Sequence, residues 1–358
     1  MIVAIDARFV SKTQRGIGIY SENLIFGLLK ERPDWKYYLY VRPSSPLLDK
    51  LGEREGVVVR TLPPLGYLLE EFFLIPFFLY IDKPNLFHAT GNTGPIFRIS
   101  HNLTSVLTLH DVSFMKPRAI VPWPKKWYQR FGRVYRRIVA PLAAKHSDRI
   151  IAVSEFAAKD IRLTLNESVE EKLQMCFLGF ESSESEASEH CIYDKERSFA
   201  IVVSGIDPQK NLDWLLRAFV RYRELGGGLE LKVVGVSEED VLDVIARPAD
   251  FGISFLGYIS HKQTIELIKM AYLLLFPSLY ESFGIPIIEA FSAGTPVLAA
   301  NAGAAAEVGG EAACYFKSGD ADDFVSKLLE SEIDQNWHDH FAKLGRERAQ
   351  IFTQRQMA

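Results

Sequence analysis

Phe276-Pro277-Ser278-Leu279-Tyr280-Glu281-Ser282-Phe283-Gly284-Ile285-Pro286-Ile287-Ile288-Glu289-Ala290 is the stretch that decides how the chain reads. Leu273 to Phe276 leads into it as a short apolar run, suited to a strand buried on both faces. Gly284 breaks the run with a residue that accepts positive φ. Ile285 precedes proline and prefers an extended backbone. Pro286 fits the first helical position, where its missing N–H costs nothing. The helix should stop near Gly294, with Pro296 just beyond. This places Glu281 in a loop at the carboxyl end of a strand and Glu289 in the first turn of a helix. Both then face the crevice where open α/β sheets bind ligands. The amides of Phe283 to Ile287 point to the same place, and a helix N-terminus favours an anion such as phosphate.

Two carboxylates beside a phosphate site need a reason, and sugar hydroxyls supply one. A carboxylate accepts two hydrogen bonds from a vicinal diol, and such charge-assisted bonds are strong. A nucleotide sugar offers diols on both its ribose and its transferred sugar. The plainer reading is a helix start whose acidic residues complement the dipole. The spacing of the two glutamates alone would favour that reading. The Gly-Pro loop and flanking strand turn the balance toward a ligand site.

The segment resembles the signature of retaining glycosyltransferases of family 4, which have the GT-B fold. The likeness continues through Glu289-Ala290-Phe291-Ser292-Ala293-Gly294-Thr295-Pro296-Val297 to Glu307-Val308. The resemblance implies that Glu281 holds the donor sugar and Glu289 the nucleotide ribose. It also implies that the loop Ser282, Phe283, Gly284 and Ile285 contacts sugar and diphosphate, chiefly through backbone amides. The implied architecture is α/β: two Rossmann-like doubly wound domains facing each other across a cleft.

Length supports two domains, since 358 residues exceed the usual size of one core. The formal net charge of −4 argues against general nucleic-acid binding. Cys176, Cys191 and Cys314 are scattered and lack metal-ligand spacing, which fits a reduced compartment. No secretory leader pattern precedes the first strand, so a cytoplasmic location is expected. No apolar run is long enough to span a bilayer. The nearest, Leu65 to Ile81, is interrupted by Glu70-Glu71 and Pro76.

Ile2 to Ile5 reads as a buried strand, and Gly16-Ile17-Gly18 opens a helix carrying Tyr20, Leu24, Ile25, Leu28 and Leu29. This is a Rossmann-like opening without the full dinucleotide fingerprint. Ser21 stands at the third glycine, and the second strand, Tyr37 to Val41, ends in Arg42 instead of an acid. A packing turn alone would explain the glycines. The resemblance assigns Gly16 to the donor diphosphate. Val57 to Arg60, Leu86 to Ala89, Ser105 to Leu109 and Arg149 to Val153 read as further strands of a doubly wound sheet.

His110 ends the Ser105–Leu109 strand. Alone it reads as a polar strand cap; the resemblance makes it the first domain's contact to the donor sugar. His88 ends the neighbouring strand, with acceptor-facing and structural readings both open. From Lys116 to Arg149 ten Lys and Arg stand against Asp148 alone, interleaved with Trp123, Trp127, Tyr128, Phe131 and Tyr135. This fits an anionic membrane face, a pyrophosphate-bearing acceptor, or a solvated helix whose aromatics lie in the core.

The acidic, Ser-rich stretch Glu181 to His190 reads as a linker. The expected division is a first domain over 1–180, a linker over 181–198, a nucleotide-sugar domain over 199–335 and a helical tail over 336–358. In the second domain, Gly205-Ile206-Asp207-Pro208-Gln209-Lys210-Asn211 follows the strand Phe199 to Ser204. Asn211 is the expected N-cap of a helix with the stripe Leu212, Leu215, Leu216, Phe219 and Tyr222. Lys210 could neutralise a leaving diphosphate, and the resemblance gives it that role. The family often carries an arginine where this chain has Ile206. Tyr258, in Gly257-Tyr258-Ile259, is implied to flank the base.

The whole implies a metal-independent transfer with retention, from a nucleotide diphosphate sugar to a saccharide or lipid-linked saccharide. Leu68 to Pro95 is similar to mannosyltransferases of bacterial surface polysaccharide assembly, which favours GDP-mannose as donor. No separate cofactor is expected. A nucleotide-sugar 2-epimerase of the same fold, a two-lobed binding protein and an inactive nucleotide-binding scaffold are the rival readings.

Overall fold

The computed structural model describes residues 1–11, 16–97, 99–118, 121, 123, 127–166, 169–180, 198–334 and 336–358. The chain forms two compact units, Met1–Glu181 with Phe352–Ala358, and Ser182–Ile351. The expected linker over 181–198 lies, but for Ser198, outside the described residues.

The first unit holds one parallel sheet. Its strands are β1 (Ile2–Asp6), β2 (Lys36–Val41), β3 (Val57–Thr61), β4 (Leu86–Ala89), β5 (Thr104–Thr108), β6 (Arg149–Ala152) and β7 (Leu173–Met175). Their spatial order is β3-β2-β1-β4-β5-β6-β7. Helices α1 (Gly16–Glu31), α2 (Leu47–Leu51), α3 (Tyr67–Leu69), α4 (Ile75–Asp82), α5 (Trp127–His146) and α6 (Glu155–Leu165) connect them. A π-helical turn, Glu70–Leu74, joins α3 to α4.

The second unit repeats the plan with β8 (Phe199–Val203), β9 (Glu230–Val234), β10 (Ile253–Phe255), β11 (Leu273–Phe276), β12 (Val297–Ala300) and β13 (Cys314–Phe316). Their order is β10-β9-β8-β11-β12-β13, again all parallel. Its helices are α7 (Leu212–Glu224), α8 (His261–Met270), α9 (Ile285–Ala293), α10 (Ala305–Gly309), α11 (Ala321–Ile333) and α12 (Trp337–Ala349). The last helix of the chain, α13 (Gln354–Met357), belongs to the first unit.

These elements follow from local chemistry. All four residues of β11 are buried, as a central strand covered on both faces requires. The α7 stripe Leu212, Leu215, Leu216, Phe219 and Tyr222 is buried as its spacing predicts. Each such leucine contributes about 1.5–3 kcal/mol by leaving water. Gly294 stops α9 at φ 71°, with Thr295 N–H bonded back to the Ala290 carbonyl at 2.8 Å.

The tail 336–358 is not one piece. Gly345 lets α12 lie against α9, since a Cβ there would meet Phe291 Cδ1 at 2.7 Å. Arg348 ties the same helix to the Glu307 carbonyl at 2.7 Å. Past Phe352 the chain joins the first unit, where Phe180 bonds Phe352 at 2.9 Å and Gln354 donates back to Phe180 at 3.0 Å.

In the first unit a buried ion cluster anchors the π turn. Arg8 donates to Asp6 at 2.8 Å, Glu70 at 3.0 Å and Glu71 at 3.2 Å, and all four side chains are fully buried. Arg42 reaches Glu70 at 2.9 Å. Glu71 accepts from Thr93 at 2.6 Å and from the Tyr135 hydroxyl of α5. The extra residue of the π turn brings both glutamates inward together. Sequence reading took this pair only as an interruption of an apolar run.

Candidate functional site

Both sheets have the doubly wound order whose direction of winding reverses at one place, β8/β11 in the second unit and β1/β4 in the first. Loops leaving the carboxyl ends of these strands diverge there and open a crevice. Lys210 and Glu281 come from the two loops at β8/β11. Lys210 closes the 3₁₀ turn Pro208–Lys210 after β8, and Glu281 lies between β11 and α9.

The two loops are sewn together by backbone. Leu279 N–H donates to the Gln209 carbonyl at 2.8 Å, and Asn211 Nδ2 donates to the Pro277 carbonyl at 3.2 Å. Asn211 therefore does not cap α7 with its side chain, contrary to expectation. It sits at φ 58° and spends its amide on the neighbouring loop. The result is an ion pair between Lys210 Nζ and Glu281 Oε1. Ser278 Oγ donates to the same Oε1 at 3.1 Å.

A third loop fixes the Glu281 backbone. Ala304 N–H donates to the Glu281 carbonyl at 3.0 Å, and Gly303 lies against the same peptide at φ 60°. A Cβ at Gly303 would stand 2.8 Å from Glu281 N. Sequence reading missed Gly303 and Ser278. The turn signal Asn301-Ala302-Gly303 marks a loop without saying what it touches.

Gly284 takes φ 104° and brings no side-chain cap to α9, whose N-terminal dipole favours negative charge. Ile285 is already helical and Pro286 follows it, one position later than expected. Glu289 consequently falls in the second turn, not the first. It is buried, and Oε1 accepts from His261 Nε2 at 2.6 Å. Glu289 is thus a buried carboxylate held by a histidine from the next helix. His261 opens α8 behind a Ser260–Gln263 capping box. It carried no motif signal in the sequence. Tyr258, after Gly257 at φ 61°, is 70% exposed.

In the first unit His110 follows β5. A carbonyl can only accept, so the 2.8 Å contact to the Thr90 carbonyl puts the proton on Nε2. Burial lowers the His110 pKa, keeping the ring neutral with Nδ1 as acceptor. Its amide donates to Asn92 Oδ1 at 2.7 Å, and Tyr20 of α1 packs edge-on at 4.7 Å. His88 is buried, 2.7 Å from Thr108 Oγ1, which also bonds the Tyr20 hydroxyl at 2.8 Å. Burial, then the neighbouring His110, pushes its pKa down to about 4. His88 is thus an internal structural group. Gly16 is exposed at the start of α1; residues 12–15 before it lie outside the described residues.

The basic segment divides. Arg133 is not on a solvated face; it donates to the carbonyls of Phe114 at 3.2 Å, Val121 at 2.8 Å and Lys116 at 2.9 Å. Lys125 and Lys126 lie outside the described residues. Among the described residues no cluster of three or more His, Cys, Asp or Glu could hold a metal, and no helix is long and apolar enough to cross a membrane.

Residues 184–348 match the family described as glycosyl transferases group 1. The chain superposes on a sucrose-phosphate synthase from Thermosynechococcus elongatus with a TM-score of 0.73 at 17% identity, over 98% of this chain and 94% of that one. WaaG, a glycosyltransferase involved in lipopolysaccharide biosynthesis, gives a TM-score of 0.72 at 16% identity, over 99% and 97%. The fold is that of the GT-B glycosyltransferases, and the second unit matches a glycosyltransferase family. The chain is similar to the O-antigen chain mannosyltransferase B of Escherichia coli, at 25% identity over 94% of this chain and 92% of that one.

Proposed function

We propose that the chain transfers a mannosyl group, with retention and without a metal, from GDP-mannose to a saccharide or lipid-linked saccharide at the cytoplasmic face of a membrane. The meeting of Lys210 and Glu281 at the β8/β11 crevice carries the reading. Glu281 and His110 hold the donor sugar. Lys210, the amides of Ser282, Phe283, Gly284 and Ile285, and Gly16 take the diphosphate. Glu289 takes the ribose, and Tyr258 flanks the base.

Breaking the anomeric C–O bond sends its electron pair to the diphosphate. Lys210 and the α9 amides stabilise that charge. The acceptor oxygen bonds the anomeric carbon on the same face, and its proton passes to the leaving phosphate. The similarity to a mannosyltransferase supports the choice of sugar.

The test is thermal stabilisation by GDP, UDP and ADP, followed by transfer from the matching nucleotide sugar with product anomers read by NMR. GDP at a hundred times its dissociation constant should add about 2.7 kcal/mol. Glu289→Ala should remove most of that shift, and transfer should persist in EDTA. Stabilisation by none of the three would refute the nucleotide site.

A further inference from the structure

The first unit has its own reversal of winding at β1/β4, and two aromatic rings are set beside it. Phe9 follows β1 and Gly91 follows β4. Residue 91 must be a glycine because the Phe9 ring stands there: a Cβ would meet Phe9 Cζ at 2.4 Å. Tyr67, at the start of α3, packs against Phe9 with ring centroids 6.0 Å apart and planes 28° from parallel. The Arg8 guanidinium lies 5.9 Å from the Phe9 centroid and 5.6 Å from that of Tyr67. Three nearly equal distances place the two rings side by side over one buried cation. Each ring rests a face on Arg8, and Tyr67, 44% exposed, turns its other face outward.

Arg42 follows β2 and reaches the same ring. Its guanidinium is 4.9 Å from the Tyr67 centroid, and Nη2 donates to Glu70 at 2.9 Å. Glu70 is fully buried and bonded to Arg8, so Arg42 is held from the inner side. Its Nη1 has no partner among the described residues, and 31% of the side chain is exposed. The ion cluster beneath thus fixes the Tyr67 ring and the Arg42 guanidinium in place before a ligand arrives.

We propose that Tyr67, Phe9 and Arg42 form a subsite for a neutral pyranose ring of the acceptor. The C–H face of such a ring carries partial positive charge and stacks on the negative faces of the aromatics, while Arg42 Nη1 donates to a hydroxyl. Charge argues against an anion. The carboxylates of Asp6, Glu70 and Glu71 stand against the guanidiniums of Arg8 and Arg42, three against two. Position argues for the acceptor. Asn92, next to Gly91, accepts from the His110 amide at 2.7 Å, so the rings adjoin the loop that holds the residue given to the donor sugar. The subsite rests on the proposed transfer for its role as acceptor site; binding of the sugar does not depend on that reading.

The experiment is saturation-transfer NMR of the full chain with methyl α-D-mannopyranoside. Saturation should be strongest on the protons of one ring face and should persist in Glu281→Ala, which separates this subsite from the donor site. Tyr67→Ala should weaken binding at least about tenfold, and Arg42→Gln about fivefold. Tyr67→Phe should bind as wild type does, and Tyr67→Leu, which keeps bulk without the ring, should match Tyr67→Ala. With the mannoside as acceptor in a transfer assay, the same losses should appear in its KM, while the KM for GDP-mannose stays at the wild-type value. Undiminished binding by Tyr67→Ala, loss of binding in Glu281→Ala, or displacement of the mannoside by inorganic pyrophosphate would each overturn the proposal. Binding that follows the ring at position 67 without any stabilisation by GDP would uphold the subsite and sink the transferase reading.

Discussion

Lys210 Nζ is ion-paired with Oε1 of Glu281, and that oxygen also accepts from Ser278 Oγ at 3.1 Å. The pair spans 71 residues of sequence and is made by strand order. β8 and β11 are neighbours at the reversal of winding, so their loops meet. Both side chains are partly exposed, Lys210 at 31% and Glu281 at 17%, so the contact itself is worth little as a salt bridge. Its consequence is positional: a cation and a carboxylate share one point at the crevice.

Replacing each partner should therefore separate two properties. Glu281→Ala is expected to lower transfer by roughly 10²–10³-fold. GDP affinity should hold or rise, because Lys210 loses its internal competitor. Lys210→Met should weaken GDP binding and transfer together. Calorimetric titration with GDP alongside a transfer assay reads both. Wild-type turnover by Glu281→Ala would exclude the role given to it.

Glu289 and His261 predict a ligand-specific cycle. If the carboxylate holds the ribose diol, Glu289→Ala should cost GDP binding about 10–100-fold. The same substitution should cost almost nothing toward 2′,3′-dideoxy-GDP. His261→Ala should give a smaller loss with the same dependence on the diol, since it acts by orienting Glu289. His261→Gln, which keeps a donor, should recover part of it. A loss equal for both nucleotides would mean that Glu289 supports structure and does not touch the ribose.

The elements that were legible in sequence are those with local causes. Strands buried on both faces, such as β11, read as apolar runs, and the Gly284-Ile285-Pro286 start of α9 has a steric reason at each residue. The ends of strands told where His110, Lys210 and Glu281 would stand. What escaped was made by contact across the chain. Gly303 has meaning only beside the Glu281 peptide, and His261 only beside Glu289. Asn211 looked like a cap because its neighbours are local, but its real partner is Pro277. Glu70-Glu71 looked like a polar break because the cation that buries them, Arg8, lies 62 residues from Glu70.

Gly303→Ala tests the third loop. A Cβ there meets Glu281 N at 2.8 Å and O at 3.0 Å, and φ 60° already disfavours alanine. The expected cost is about 1–3 kcal/mol of stability. Transfer should fall more than GDP binding, since Glu281 moves and Glu289 does not. Equal losses in both would show that the strain spreads through the unit.

His88 predicts an acid-sensitive first unit. Its folded pKa is about 4 against 6.5 for the free side chain, so the unfolded chain binds the extra proton between those values. Stability is then fully present above pH 6.5 and declines as pH falls toward 4, by on the order of 3 kcal/mol. Unfolding midpoints measured from pH 7.5 down to pH 4 should show this slope, and His88→Gln should flatten it. An unaltered slope in the variant would assign the acid sensitivity to other groups, His110 first.

Arg8 is the cation on which the π turn depends. Its guanidinium pairs with three carboxylates, Asp6, Glu70 and Glu71, with every side chain fully buried. Removing one partner of such a cluster leaves charge stranded in a poorly solvated interior, so Arg8→Met should cost about 3–5 kcal/mol or more. Burial raises the Glu71 pKa, which makes this carboxyl the natural one to neutralise when the cation is gone. Adding Glu71→Gln to Arg8→Met should therefore return part of the stability. A non-additive double-mutant cycle in denaturant is the expected signature. Simple additivity would mean that Arg8 supports the fold through packing of its stem and that the charges are screened from one another.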